Sequence, residues 1–371
     1  MTGGSGRSSS RTGDSAGPGG IRCTLMRAGT SKGLFFLESD LPAEPSKRDA
    51  MLLAIMGSGH PMQVDGVGGA HPLASKVAVV SPASRDDADI DYLFLQLGVE
   101  EATITDRQNC GNILAGVGPF AAERGLIGTA DPATTARIHM VNSGSVVTAT
   151  FQTPGGYPDY AGETMIAGVP GRAAPILLRF AGTAGSATGS LLPTGRVSDV
   201  IGNIQVTCVD NGMPVVVARA GDLGISGYET HQDLAHDDEL GARIQALRLA
   251  AGKLMGLGDV AGLSVPKTTL VSPPRDGGTI CTRTFIPVRP HQAIGVLGAV
   301  SVATALLLPG GTGAEFAAPP GEGHRYDIEH PSGHLEVDVD VDVSTHPPRV
   351  LSAGIVRTAR KLFDGIVYPA R

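Results

Sequence analysis

The sequence predicts an α+β fold of two similar halves, each a mostly stranded segment wrapped around one apolar helix. Three observations carry this. The chain has 371 residues, enough for two domains with a core each. Four segments of its first half recur in the second, in the same order. Each half also holds one helix-length run that is apolar on nearly every side.

The repeats can be read directly. "IRCTLMRAGTSKGLFFLESDLPA" from Ile21 is echoed by "IQVTCVDNGMPVVVARAGDLGIS" near residue 205. "SKVAVVSPA" from Ser75 is echoed by "PKTTLVSPP" from Pro266, and "NCGNILAGVGPFAAERG" by "HQAIGVLGAVSVATALL" from His291. "RIHMVNSGSVVTATF" from Arg137 is echoed by "RYDIEHPSGHLEVDVDV" from Arg325. The offsets all fall between roughly 180 and 195 residues, too long a period for a solenoid. Chance would scatter them and could reverse their order. The expected division is a flexible tail over 1–20, a first domain over 21–195 and a second over 196–371.

In chain order, "MTGGSGRSSSRTGDSAGPGG" lacks an apolar core, so it reads as a flexible leader and not a signal peptide. The turn "MRAGTSKG" resembles a phosphate loop only loosely. Its order is TSKG and no GxxxxGK precedes it, so an ATP site is rejected. "KVAVV", "DYLFLQLGV", "SVVTATF", "PILLRF" and "LEVDVDVDV" read as strands. "GNILAGVGPFAAERG" and "IGVLGAVSVATALLL" read as helices. A helix apolar all round is either buried or in a membrane, and both are too short to span a bilayer. Their glycines and alanines suit close approach on every side. "DDELGARIQALRLAAGKL" reads as a surface helix between the halves, with "PSKRDAMLLAIMG" as its counterpart in the first.

Composition excludes several functions. The net charge of −7 argues against nucleic acid as partner, while still allowing a local positive pocket for an anion. The four cysteines have no CxxC spacing, so neither a disulfide scaffold nor a zinc site is indicated. No HExxH or two-His-one-carboxylate pattern appears. No GxGxxG joins a strand to a helix, and no GxSxG elbow is present. A cytoplasmic protein is expected, with no cofactor, no metal and no membrane contact. The oligomeric state stays open, a homo-oligomer included.

The chemistry concentrates in "TDRQNCGNILAG". Cys110 opens an apolar helix, where the first backbone N–H groups have no intrahelical partner and form an anion site. The same field favours a thiolate, and such a thiol can exchange protons near neutral pH. The alternative is a small buried hydrophobe, the preferred reading for Cys23, Cys208 and Cys281. Asn109, Gly111 and Asn112 would hold a carboxylate or enolate oxygen. Lys76 follows Ser75 and a Gly-rich loop at the mouth of an apolar strand. There it is either an ordinary strand-end lysine or a partly desolvated base. Lys267 occupies the equivalent place in the second half, and two such lysines facing one cleft would suit a polycarboxylate. Thr30, Ser31, Arg283 and His291 are further expected contacts at the cleft edges.

These segments, with "LLPTG", "RTFIPVRPHQAIGVLGAVSVATA", "EHPSG" and "RTARKLFDG", together resemble the methylaconitate isomerase family of the diaminopimelate epimerase fold. The resemblance runs from about Ile21 to the C-terminus and is strongest to the 4-oxalomesaconate tautomerases and isomerases of gallate and protocatechuate breakdown. It implies two barrel-like domains, each around a central helix, with the site between them. It also implies catalytic roles for Lys76 and Cys110. The parent epimerases use one cysteine from each half, whereas the second helix entrance here, "HQAIGVLGA", has none. A lysine and a cysteine from the first domain are the expected replacement pair. The implied reaction is cofactor-free proton transfer on an unsaturated di- or tricarboxylate, by keto/enol tautomerisation or a 1,3-allylic shift. The alternatives are 2-methylaconitate cis–trans isomerisation and a catalytically inactive tricarboxylate-binding protein.

Overall fold

The computed structural model describes residues 19–107, 109–321 and 324–370; most of the expected N-terminal tail lies outside them. The first half runs β1 (Ile21–Ala28), β2 (Ser31–Leu37), α1 (Pro45–Met56), β3 (Lys76–Pro82), β4 (Ile90–Leu97), β5 (Ile104–Thr105), α2 (Gly111–Glu123), β6 (Ala133–Met140), β7 (Ser145–Gln152) and β8 (Pro175–Phe180). The second runs β9 (Asp199–Ile201), β10 (Ile204–Asp210), β11 (Pro214–Arg219), α3 (His231–Ala235), α4 (Asp238–Leu254), β12 (Lys267–Ser272), β13 (Ile280–Phe285), α5 (Val296–Leu307), β14 (Arg325–His330), β15 (Gly333–Asp342) and β16 (Arg349–Val367).

The duplication is visible in the pairing. β1–β2, β3–β4, β6–β7 and β7–β8 are antiparallel, with β2–β3 and β4–β6 parallel. β10 to β16 repeat the same alternation, with β11–β12 and β13–β14 the parallel pairs. Each repeated sequence segment therefore builds the same element twice. The first half closes into an eight-stranded barrel through β16, which pairs with both β1 and β8. The second half is an open curved sheet.

The last strand shows why a cut at residue 195 does not partition the chain cleanly. Arg349–Ile355 pair with β15 of the second half, while Ala359–Val367 pair with β1 of the first. A strand of 19 residues is long enough to serve two sheets.

The two apolar helices are the cores. α2 touches all eight barrel strands, and α5 packs on β10, β11, β14, β15 and β16. Gly116 and Gly118 make the fit of α2 possible: a Cβ on Gly116 would lie 2.7 Å from the Phe35 ring, and one on Gly118 2.7 Å from Phe151. β3 is buried on both faces, as a strand covered on both sides must be. Ala78 and Val80 face α2; Val77 and Val79 face the outer cluster with α1. α4 covers the outer face of the second half through Leu240, Ile244, Leu247 and Ala251. It belongs to that half and is not a bridge between the two; α1 is its counterpart. Among the described residues, no helix is long and apolar enough to cross a membrane.

Candidate active site

Cys110 is the N-cap of α2, in extended conformation, and half-buried against the core. Its side chain makes no capping hydrogen bond, so the thiol is not spent on the helix. The buried Tyr92 hydroxyl donates to the Cys110 carbonyl at 3.4 Å; burial, then the nearby thiol, hold Tyr92 well above the usual phenol range. A Cβ on Gly111 would meet nothing within 4 Å, so the first turn of α2 opens on space there.

Three strands and a turn converge on that opening. The Asn112 amide donates to Thr30 Oγ1 at 2.9 Å, tying the β1–β2 turn to the helix. Gly29 in that turn has φ +54°, and a Cβ there would lie 2.2 Å from Asn112 Oδ1. Only glycine satisfies both the positive φ and the close approach. Ser31 pairs with Ala28 and shares its α2-facing side; its hydroxyl is buried without a hydrogen-bond partner among the described residues.

Lys76 begins β3 on the same side as Ala78 and is only 7% exposed. A Cβ on Gly33 would lie 2.7 Å from the Lys76 carbonyl and 3.1 Å from Ile113, so Gly33 lets β3 meet the first turn of α2. Lys76 Nζ donates to Gln96 Oε1 at 2.5 Å and lies 5.1 Å from the centre of the Phe94 ring. Gln96 cannot flip. Its Nε2 shares two hydrogens among the carbonyls of Pro72, Ser75 and Leu97 at 3.0–3.2 Å, which leaves Oε1 for the lysine. The composition signal for Gln96, one polar residue late in an apolar strand, went unused in the sequence reading.

The second half presents a matching entrance. Gly295 is the N-cap of α5, the place Cys110 holds on α2. Lys267 begins β12 as Lys76 begins β3, and its Nζ is 3.4 Å from where a Cβ on Gly295 would sit. Burial pushes the Lys267 ammonium below its ordinary range. A lysine tip thus stands at the helix entrance that lacks the second thiol.

Other expected contacts do not join this group. Arg283 shares the face of β13 with Cys281 and Phe285, and Phe285 packs into the outer cluster under α4. Its Nε donates to the Glu229 carbonyl at 2.8 Å and one NH₂ group to the Thr282 carbonyl at 2.8 Å. It thereby clamps the loop before α3. Ser75 spends its hydroxyl on Gln63 Oε1 and the His71 carbonyl, fixing the loop ahead of Lys76. His291 accepts the Ala293 N–H at 2.9 Å through Nδ1 and shapes the turn into α5. Asn109 is exposed. Cys23, Cys208 and Cys281 are buried, and burial pushes the thiols of Cys23 and Cys208 up to about 11 and about 12. They remain inert thiols.

Residues 20–370 match the family described as PrpF protein. The chain belongs to the PrpF family. It is 56% identical to a (4E)-oxalomesaconate Delta-isomerase of Novosphingobium sp. over 93% of this chain and 96% of the relative. It is 51% identical to a 4-oxalomesaconate tautomerase of Pseudomonas putida over 95% and 96%. The crystal structure of a methylitaconate-delta-isomerase superposes with a TM-score of 0.85 at 33% identity, covering 94% of this chain and 95% of the other.

Proposed function

We propose that this member of the PrpF family is an isomerase that moves a proton on 4-oxalomesaconate. The observation that carries the reading is Lys76 itself: a buried lysine, held by a locked amide, that begins the strand meeting the first turn of α2, the helix that Cys110 caps. The names of the two relatives above half identity supply the substrate.

The chemistry follows from the groups present. Lys76, as the amine, takes a proton from the carbon or enol oxygen next to the conjugated keto acid. The electron pair moves into the π system and charge develops on oxygen. Backbone N–H groups of the first turn of α2 face that oxygen, and donors fixed before the reaction stabilise developing charge without reorganising. Cys110 or the Lys76 ammonium then returns the proton. A proton taken from carbon and delivered to oxygen, or taken from the enol oxygen and delivered to carbon, completes tautomerisation; one taken from carbon and delivered two carbons away completes a 1,3-allylic shift, and where Cys110 is the donor the Lys76 ammonium reprotonates its thiolate. Lys267, at the entrance of α5, pairs with a carboxylate of the substrate.

The test is turnover of 4-oxalomesaconate by the purified protein, with 2-methylaconitate as the competing substrate. Faster turnover of 4-oxalomesaconate supports the reading. Preference for 2-methylaconitate replaces the substrate, and binding without turnover of either replaces the enzyme with a binding protein.

A further inference from the structure

Arg357 lies near the middle of β16, where the strand changes partners. On one edge Ile355 pairs with β15 and Ala359 with β1, so residues 356–358 have no strand beside them there. On the other edge Arg357 is opposite Ile176 of β8. Ala353, Ile355 and Ala359, of the same parity, belong to the inner core, so Arg357 projects inward at the junction of the two halves.

That side chain is 8% exposed. Its one hydrogen bond among the described residues runs from a terminal NH₂ group to the carbonyl of neighbouring Val356 at 2.9 Å. Among the described residues no carboxylate pairs with it. The other two buried arginines make more hydrogen bonds: Arg248 on the outer helix donates to Gln245, Leu263 and Val265, and Arg283 to the Glu229 and Thr282 carbonyls. Burial lowers the Arg357 pKa to about 10 with no neighbouring charge contributing; at neutral pH it stays a cation. A buried, unpaired charge is costly, and such groups are normally paired. The adjoining residue connects it to the site. The Thr358 carbonyl accepts the Gly29 N–H at 2.8 Å, and Gly29 abuts Asn112 in the first turn of α2.

We infer that Arg357 binds a carboxylate of the substrate. The inference rests on the polycarboxylate reading above. A planar guanidinium with unused N–H groups matches a carboxylate in two-pronged fashion, and the ligand would supply the missing countercharge.

The test uses propane-1,2,3-tricarboxylate, which has the charges and no activated proton, in calorimetric titration and thermal melts of the full-length protein at pH 7. Wild type is expected to bind it and melt higher in its presence. Arg357→Met is expected to melt at or above wild type without ligand, because it removes an unpaired buried charge, and to bind about 10- to 150-fold more weakly. Unchanged affinity in Arg357→Met overturns the assignment of Arg357 and leaves the polycarboxylate reading intact. Failure of wild type to bind any tricarboxylate overturns both. If the variant does not fold, a crystal structure of wild type with the same ligand decides the point. A carboxylate oxygen within about 3.2 Å of an Arg357 nitrogen supports the inference, and a ligand seated elsewhere overturns it.

Discussion

Replacing Gly116 by alanine sets two effects against each other inside α2. Alanine is favoured over glycine in a helix interior by about 1 kcal/mol. The new methyl, however, would lie 2.7 Å and 3.0 Å from two carbons of the Phe35 ring and 3.4 Å from Ala28 Cβ. Carbon atoms rest at about 3.5–4.0 Å, so the ring must move by close to an ångström. It has nowhere to go: Phe35 is fully buried, and its ring is 5.6 Å from that of Phe120. Overpacking of this kind costs about 1–3 kcal/mol, which offsets or exceeds the helical gain. The net expectation is a change between neutral and about 2 kcal/mol destabilising. Gly241 in α4 provides the control, because a Cβ there meets nothing within 4 Å; Gly241→Ala should stabilise by about 0.5–1 kcal/mol. Equilibrium urea unfolding read by circular dichroism measures both. Phe35→Leu should relieve the penalty of Gly116→Ala in a double-mutant cycle. Stabilisation by Gly116→Ala equal to that of Gly241→Ala would refute the tight wrapping of the barrel around its helix.

Three further predictions concern the site and its surroundings. Gln96→Leu keeps bulk but removes the acceptor that aims Lys76, so kcat should fall about 100-fold in steady-state assays while KM changes little. Lys267→Met should raise KM about tenfold or more. Because burial depresses the Lys267 pKa in the fold, wild-type stability should increase as pH rises from that depressed value toward 10.5; melts between pH 7 and 10 should show the increase in wild type and a smaller one in the variant. His330 is held down to about 4 by burial, with His334, His291 and Arg283 adding to it. The folded protein then binds fewer protons than the unfolded chain between the two values, and stability should fall with pH by about 2 kcal/mol at pH 5; His330→Gln should flatten that loss in urea unfolding at pH 5 and 7.5.

Much of the fold could be read in the chain because duplication writes each element twice. "SKVAVV" and "PKTTLV" both begin a strand with lysine, and both lysines arrive at a helix entrance. Cys110 was legible because an apolar run with glycine at its start marks where a helix begins. The face of Arg283 was not legible because β13 is buried along its whole length; a strand covered on both faces has no alternation from which the side of a polar residue can be read. Arg357 and Gln96 were missed for a related reason. Each is a polar strand residue whose meaning lies in which neighbour the register supplies. The double use of β16 was equally invisible, since nothing local in "GIVRTARKLFDG" encodes a change of partner. Gly295 gains its significance only beside Lys267, a contact across 28 residues that spacing alone does not announce.

Proton transfer by Lys76 and Cys110 on 4-oxalomesaconate is tested most directly by proton NMR of that substrate in deuterated buffer with wild type, Lys76→Met and Cys110→Ser. Wild type is expected to incorporate deuterium rapidly, at a position that separates tautomerisation from an allylic shift, and both variants to lose most of that exchange. Exchange that persists in Lys76→Met at the wild-type rate would contradict proton transfer by Lys76.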